Sequence, residues 1–240
     1  MKYLDLTLPT PAENLACDEA LLDWCEAGHC AEGTLRFWEP GDYFVVVGYA
    51  NKVSTEVNLS ACEAQQIPVL RRCSGGGTVL QGPGCLNYAL LLEIAGLHQL
   101  QSISSANNFI LNRHHNALER LLAHSVEVQG HTDLTIWGLK FSGNSQRRRR
   151  RFLLFHGTFL LRFDLDQIAA LLRMPSHQPD YRSGRGHKDF VMNLSVPPRI
   201  VKAALRESWQ ATSQFSDDLR CEISKLVEQK YSKPEWNLKH

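Results

Sequence analysis

Three consecutive glycines, Gly75–Gly77, constrain the fold of this chain more than any other feature of its sequence. Glycine loses more backbone entropy on folding than other residues, so such a run indicates a loop that another group approaches closely or that needs a positive φ. Its N–H groups can bind an anion, and the preceding Arg71 and Arg72 can pair with a carboxylate or a phosphate. A flexible turn explains the glycines alone equally well, because the segment matches neither the GxxxxGK[ST] phosphate loop nor the GxGxxG dinucleotide motif.

The pattern around this loop predicts an α+β fold. Helical spacing of apolar residues predicts helices over 14–27, 59–65, 109–122, 165–172, 200–212 and 218–231. Short runs of strand-forming residues predict strands over 35–38, 43–47, 69–72, 78–80, 86–92, 126–128, 134–137, 140–142, 152–155 and 158–163, with 78–80 and 86–92 paired around 82–84 (GPG). The irregular alternation of the two element types favours mixed, mostly antiparallel sheets flanked by helices over a doubly wound fold.

Length and composition favour one large domain over residues 1–240, with a helical C-terminal segment from about residue 198. The 240 residues include 43% hydrophobic residues, which is enough for a substantial core. The formal net charge of +1 provides no global field for nucleic acid or for a membrane surface. The N-terminus lacks a secretory signal pattern, no apolar run reaches the ~18 residues that cross a bilayer, and the seven cysteines include no C-x-x-C pair. We therefore expect a cytoplasmic protein with free thiols.

Three further positions carry functional groups in patterns that are compatible with a ligand site. Lys140 lies between strand-like residues and a predicted turn at 143–145 (GNS), where an ammonium group can stabilise charge that develops on a carboxylate and a phosphate. Asp133 precedes a strand, where a carboxylate can hold Mg²⁺ bound to a nucleotide. His156 follows a strand. By spacing alone, a surface lysine, a turn aspartate and a structural histidine are the commoner alternatives.

Taken in order, these segments resemble the lipoate–protein ligase family of the biotin/lipoate protein ligase superfamily. Residues 14–22 (NLACDEALL) resemble the first helix of the family, and residues 71–88 resemble its RRxSGGG loop and the strand that follows. Asp133, the segment 140–147 (KFSGNSQR) and the segment 156–158 (HGT) keep the order and spacing of the family. The resemblance runs nearly end to end and implies the catalytic-domain fold of this superfamily.

The resemblance also implies roles for individual residues. Lys140 corresponds to an essential lysine that contacts the carboxylate and the α-phosphate during adenylation, and Asp133 to a residue that positions ATP with Mg²⁺. Trp38 takes the place of an aromatic residue near the acyl pocket, and Arg147 that of a residue that steadies the acyl or adenylate end. The residues implied to bind lipoate or ATP are Trp38, Arg72, Ser74, Gly75, Gly76, Gly77, Thr78, Val79, Gln81, Asn87, Asp133, Gly143, Arg147 and His156.

The implied reaction is ATP-dependent activation of lipoate, or of octanoate, to an acyl-adenylate, followed by transfer of the acyl group to a lysine of a carrier protein. The implied ligands are lipoate, ATP and Mg²⁺. The implied acceptor is a lipoyl domain or a glycine-cleavage H-type protein. Many family members continue into a small accessory domain, whereas this sequence resembles only the large catalytic domain. Either a separate accessory subunit supplies the missing part, or the protein acts without it, or adenylation is impaired.

Several departures from the family pattern leave other functions open. Cys73 and Cys85 flank the glycine loop, so an octanoyl or lipoyl transferase that works through a cysteine thioester is the main alternative. Gln81 stands where many relatives have histidine and motivates a non-catalytic lipoate-binding module. The five arginines at 147–151 predict either a solvated loop or a docking surface for an acidic carrier or for ATP phosphates. RNA binding through these arginines disagrees with the near-neutral charge, and biotin ligation disagrees with the lipoate-type loop.

Overall fold

The chain folds into two β-sheets surrounded by helices. The computed structural model describes residues 1–30, 32–122 and 124–239. The strands are β1 (Lys2–Asp5), β2 (Thr34–Trp38), β3 (Phe44–Val47), β4 (Val69–Arg71), β5 (Val79–Gln81), β6 (Cys85–Glu93), β7 (Glu127–Gln129), β8 (Asp133–Ile136), β9 (Leu139–Arg148), β10 (Phe152–Leu160) and β11 (Ser213–Gln214). The helices are α1 (Pro11–Glu26), α2 (Val53–Glu56), α3 (Leu59–Ala64), α4 (Ile103–Glu119), α5 (Asp166–Leu171), α6 (His187–Phe190), α7 (Pro198–Ser208), α8 (Arg220–Leu226) and α9 (Pro234–Asn237).

The two sheets are mixed and mostly antiparallel. The larger sheet has eight strands in the order β11-β1-β2-β6-β10-β9-β8-β7, and the smaller sheet has the order β4-β3-β5. Strand β1 runs parallel to β2 and β11, and β3 runs parallel to β4. The other neighbouring strands are antiparallel. The predicted α+β fold, with mixed and mostly antiparallel sheets flanked by helices, is confirmed.

Helices cover both faces of the larger sheet because its central strands are apolar on both sides. Strand β6 is buried from Cys85 to Leu92. Along β10, Phe155 belongs to a core cluster with Ile110 of α4, whereas the adjacent Leu154 belongs to the cluster with Leu21 of α1. This alternation is the period of two expected for a strand with a helix layer on each face. Among the residues that the structure describes, no helix combines the length and the apolar character needed to cross a bilayer.

Helix α1 is fixed by side-chain hydrogen bonds at both ends. At its start, Thr10 and Glu13 form a reciprocal capping box, and Pro11 occupies the first turn, where its missing N–H costs nothing. At its end, the Glu26 carboxylate accepts N–H bonds from residues 150–152, at distances of 2.9–3.1 Å. These bonds attach the helix to the turn between β9 and β10.

Several predictions of strand pairing and length are wrong. Strand β5 pairs with β3 in the smaller sheet and β6 pairs with β2 and β10 in the larger sheet, so the predicted pair of 78–80 with 86–92 does not form. Strand β9 passes through the predicted turn at 143–145, because its residues pair with β10. Strand β10 is one strand that ends at Leu160 rather than two shorter ones. Strands β1 and β11 and helices α2, α6 and α9 were not predicted.

The arginine run at 147–151 is not a solvated loop. Arg148 lies in β9 and donates to the Leu100 carbonyl at 2.6 Å. Arg149 pairs with Asp23 at 2.9 Å, and Arg151 has Glu93 at 3.4 Å. Much of the run is therefore engaged by carbonyls and carboxylates of the chain itself, which leaves fewer free charges for an acidic partner.

The C-terminal segment is attached to the smaller sheet by Arg71, which is fully buried. Its guanidinium donates to the carbonyls of Gly48 at 2.8 Å, Asn51 at 2.8 Å and Trp236 at 3.1 Å. The backbone N–H of Arg71 donates to Asn237 Oδ1 at 3.1 Å. Arg71 therefore has a structural role in the fold, and the pairing with a ligand anion predicted for both arginines of the RR motif is wrong for this one.

A buried histidine predicts an acid-sensitive core. His114 is fully buried, accepts a bond from Trp209 Nε1 at 2.9 Å, and has no partner at Nδ1. Burial, assisted by Arg113, lowers its pKa to about 3. In the unfolded chain this histidine binds a proton near pH 6.5, whereas in the folded chain it stays neutral down to about pH 3. The free energy of unfolding therefore keeps its full value above pH 6.5 and falls as the pH drops toward 3.

We expect this single group to cost about 2 kcal/mol of unfolding free energy between pH 7 and pH 5. Urea unfolding of wild type and His114→Gln at both pH values measures it, because the variant lacks the titrating group. His115→Gln, at the partly exposed neighbouring histidine, is the matched control and should keep the wild-type pH dependence. An identical pH dependence in His114→Gln would contradict the assignment.

Candidate active site

A cavity of about 380 Å³ lies among the glycine loop, one end of the larger sheet, α1 and the segment 175–190. The predicted site residues that line it are Trp38, Arg72, Gly76, Gly77, Thr78, Val79, Gln81, Asn87, Asp133, Lys140, Gly143 and His156. Three predicted residues, Ser74, Gly75 and Arg147, are not among its lining residues. The sequence motifs therefore converge on one cavity although they are spread over most of the chain.

Strand register brings these residues together. In one row across the larger sheet, Trp38 of β2 pairs with Asn87 of β6, and Asn87 pairs with Thr158 of β10. The row continues from Thr158 to Gly143 of β9, and from Gly143 to Asp133 of β8. Backbone hydrogen bonds between strands therefore set the spacing of the row, and the site rests on a rigid element rather than on flexible loops.

Lys140 and Asp133 form an ion pair inside the cavity. Lys140 Nζ lies 2.8 Å from Asp133 Oδ1, and the Tyr181 hydroxyl donates to Asp133 Oδ2 at 2.7 Å. Burial and the neighbouring Asp133 raise the pKa of Tyr181. Gly143 leaves the space that Lys140 occupies, since a Cβ at this position would lie 2.8 Å from Lys140 Nζ. The Lys140 side chain keeps 27% of its surface exposed, so a ligand can still reach the ammonium group.

A second network supports the opposite end of the cavity. Arg36 is fully buried and donates to Asp18 Oδ1 at 2.5 Å and to Asn14 Oδ1 at 2.7 Å. Asp18 Oδ2 lies 3.4 Å from His156 Nδ1, and His156 Nε2 is hydrogen-bonded to Ser74 Oγ at 2.5 Å. The network connects helix α1, two strands of the larger sheet and the glycine loop. It places Ser74 behind the cavity wall, where its hydroxyl orients His156.

Arg72 holds the glycine loop from within. Its guanidinium donates to the carbonyls of Gly75 at 2.6 Å and Gly77 at 2.7 Å, and to Ser74 Oγ at 3.1 Å. Burial lowers the pKa of Arg72 to about 10, so it remains charged at neutral pH. Gly76 has a φ of 82°, which confirms the expected need for positive φ at one glycine of the run. The loop is therefore shaped by its own arginine.

Gln81 is hydrogen-bonded through both its amide nitrogen and its amide oxygen to neighbours in the site. Its Nε2 donates to Thr158 Oγ1 at 2.6 Å, and its Oε1 accepts from Asn87 Nδ2 at 3.0 Å. The Thr158 hydroxyl donates to Asn87 Oδ1 at 2.5 Å, which closes a ring of three hydrogen bonds. In contrast, Arg147 lies above the Tyr49 ring, 5.5 Å from its centroid, outside the cavity.

The sequence interpretation missed part of the cavity wall. One end is apolar and includes Leu15 and Val46, which belong to the same core cluster as Trp38. The other end is polar and is closed by residues of the segment 175–190, namely Pro175, His177, Gln178, Pro179, Arg182 and Phe190. The richness of this segment in Pro, Gly, His and Arg was a usable signal for a ligand loop, whereas the contribution of Leu15 and Asp18 depends on long-range packing. A smaller cavity of about 120 Å³ adjoins the polar end.

The cavity offers a lysine and a carboxylate but no thiol. None of the seven cysteines, all of which are free and lie in the described residues, lines either cavity. Burial raises the pKa of both Cys73 and Cys85 to about 12, so both thiols are protonated at neutral pH. Within residues 1–30, 32–122 and 124–239, no group of three or more His, Cys, Asp or Glu side chains is arranged to hold a metal ion. Asp133 alone is compatible with Mg²⁺ that is carried by a phosphate ligand, because protein-bound Mg²⁺ often uses one carboxylate.

Known proteins resemble this chain over most of its length. The family described as the lipoyl protein ligase A/B catalytic domain matches residues 10–205. An octanoyltransferase LipM of Oceanobacillus iheyensis is 30% identical to this chain, and the alignment covers 94% of this chain and 87% of the relative. A putative lipoate-protein ligase A of Aeropyrum pernix is also 30% identical, and the alignment covers 90% of this chain and 77% of the relative. Sequence identity therefore does not separate the two activities.

Two solved structures share the whole fold. A lipoate-protein ligase A bound with ATP superimposes with a TM-score of 0.82 at 25% identity, covering 99% of both chains. A bi-partite lipoate protein ligase of Thermoplasma acidophilum, studied with its E2 lipoyl domain, gives a TM-score of 0.81 at 25% identity. It covers 99% of this chain and 96% of its own.

The buried network predicts a large stability difference between two arginines. Arg36→Met should lower the free energy of unfolding by about 3–5 kcal/mol, because it leaves Asp18 buried without its partner cation. Arg220→Met removes a similar pair with Asp218 on an exposed surface and should change stability little. Urea unfolding at pH 7 compares the two variants, and equal effects would contradict the importance of the buried pair.

Proposed function

Because the chain belongs to the lipoyl protein ligase A/B catalytic domain family, we propose that it is an ATP-dependent ligase for lipoate or octanoate. The single observation that carries this proposal is the composition of the cavity. It contains Lys140 opposite Asp133 and lacks any cysteine. A ligase needs a cation that stabilises charge at a phosphate and a carboxylate, whereas a thioester transferase needs an accessible thiolate.

In the proposed first step, the carboxylate of the acyl substrate attacks the α-phosphate of ATP. An acyl-adenylate forms and pyrophosphate leaves. The apolar end of the cavity, with Leu15, Trp38 and Val46, suits the acyl chain, so the carboxylate then points toward Lys140. The ammonium group offsets the negative charge that builds up between the two reacting groups. Mg²⁺ would arrive with the nucleotide, shield the phosphate charge and take Asp133 as one oxygen ligand.

In the proposed second step, the amine of a carrier lysine attacks the acyl carbonyl of the adenylate. An amide forms, AMP leaves and the amine loses a proton. The carrier is a lipoyl domain or an H-type protein, by analogy with the E2 lipoyl domain studied with the Thermoplasma acidophilum ligase. Because that ligase is described as bi-partite, a second polypeptide is a further candidate partner for this chain. A closed cavity would protect the adenylate from water.

The second candidate is an octanoyltransferase that acts through a cysteine thioester. The 30% identity to an octanoyltransferase LipM favours it. In this chain, however, Cys73 is only 4% exposed and Cys85 is 2% exposed, and burial raises the pKa of both thiols. A transferase would therefore require a rearrangement that exposes one of them to the cavity.

Lys140→Ala should abolish ATP-dependent lipoylation of a purified lipoyl domain. Loss of one preorganised donor typically lowers the rate about 100-fold or more. Mass spectrometry of the lipoyl domain measures the transfer. Lys188→Ala, which removes another lysine of an Asp–Lys pair at the surface, is the matched control and should retain full activity. Cys73→Ala and Cys85→Ala should also retain activity.

Two further arms separate the alternatives. Synthetic lipoyl-AMP bypasses activation, so transfer from it without ATP would support the ligase even when a second polypeptide is required for adenylation. Transfer of octanoyl from an acyl-carrier protein without ATP, with loss in a cysteine variant, would refute the ligase and establish the transferase. Absence of activity in all arms, with lipoate still bound, would favour a binding module.

A further inference from the structure

The polar end of the cavity contains an arginine without a counterion. Arg182 is 4% exposed and lines both the main cavity and the adjoining smaller one. The ion pairs found among the described residues do not include it. A buried guanidinium that has only neutral partners is costly, and such a group is a candidate for pairing with an anionic ligand.

The guanidinium of Arg182 is held in place but not saturated. It lies over the Phe190 ring, 4.6 Å from the centroid, and Nε donates to the Arg185 carbonyl at 3.0 Å. Nη2 has only weak partners, Met174 Sδ at 3.6 Å and His187 Nδ1 at 3.4 Å. Nη1 donates to none of the described groups in the hydrogen bonds found. The guanidinium of Arg182 therefore has a fixed orientation, and it retains free N–H donors at the cavity wall.

The other cavity cations are already engaged. Lys140 is paired with Asp133 at 2.8 Å, and the Arg72 guanidinium is bonded to loop carbonyls and Ser74. A further unpartnered group, Thr78 Oγ1, belongs to a residue that lines the same two cavities as Arg182. The hydrogen-bond donors of Arg182 and Thr78 that have no strong partner therefore lie where the main and the smaller cavity share a wall.

On the basis of the proposed function, we propose that Arg182 binds a phosphate group of the nucleotide. The apolar acyl chain suits the opposite end of the cavity, at Trp38 and Val46, which leaves the polar end to the nucleotide. A planar guanidinium forms two parallel hydrogen bonds with phosphate, which a lysine cannot do. A site for acyl transfer alone would have no use for a buried and unpaired cation at this end.

Arg182→Gln should raise the KM for ATP at least tenfold, as expected for the loss of charge-assisted hydrogen bonds, and should change the KM for lipoate less than twofold. Arg182→Lys keeps the positive charge but loses the planar guanidinium, so it should give an intermediate KM for ATP. Calorimetric titration with Mg-ATP tests binding independently of turnover, and thermal melts establish that each variant is folded.

Arg185→Gln is the matched control. Arg185 lies over the same Phe190 ring, at 5.3 Å, is bonded to backbone carbonyls and does not line the cavity. An equal loss of ATP binding in Arg185→Gln would overturn the proposal, because damage to the segment would then explain it. A rise in the KM for lipoate instead would assign Arg182 to the carboxylate and also overturn it.

The proposed function can fail or hold separately. If wild type activates lipoate with ATP and Arg182→Gln does so with unchanged KM values, only the proposal that Arg182 binds a nucleotide phosphate is refuted. If wild type neither binds Mg-ATP nor requires it for acyl transfer, both proposals fall.

Discussion

The lateral register of the larger sheet is the constraint on which the site depends. Backbone hydrogen bonds across five strands place Trp38, Asn87, Thr158, Gly143 and Asp133 side by side. A slip of one residue in any of these strands would replace its residue in the row by one whose side chain belongs to the opposite face. Such a slip is costly because helices cover both faces and each face is apolar. Packing remote from the cavity, including the bonds of Glu26 to the β9–β10 turn, therefore secures the geometry of the site.

On this sheet, the cavity has a polar end and an apolar end, and the apolar end is supported by a buried polar network. The Lys140–Asp133 pair lies at one end, and the network of Arg36, Asp18 and His156 lies at the other. Relatives with either of two named activities match this chain at 30% identity. The fold therefore does not distinguish the ligase from the transferase, because one fold can host several reactions. The chemistry depends on the side chains that line the cavity. The absence of a lining cysteine is therefore more informative than overall similarity.

Local patterns in the sequence predicted local structure well, and long-range contacts account for the errors. The helix around residues 14–27 and the strands at 35–38 and 69–72 were found near their observed positions, because the spacing of apolar residues is a local signal. The continuation of β9 through a Gly-Asn-Ser segment was missed, because pairing with β10 overrides turn propensity. The glycine loop, Lys140 and Asp133 were found from motifs. Asp18 and Arg182 were not, because their significance appears only when distant segments meet.

Strand β1 leaves the ribosome before both of its neighbours, one of which is β11, at Ser213–Gln214. The other neighbour, β2, begins at Thr34 and becomes available early. Until residue 214 has emerged, one edge of β1 has unpaired N–H and C=O groups that can pair with a strand of another chain. Pairing between such distant segments is also intrinsically slow. The nascent chain therefore has an open sheet edge at β1 throughout the synthesis of the residues between β1 and β11. Such an exposed edge is prone to intermolecular pairing during folding.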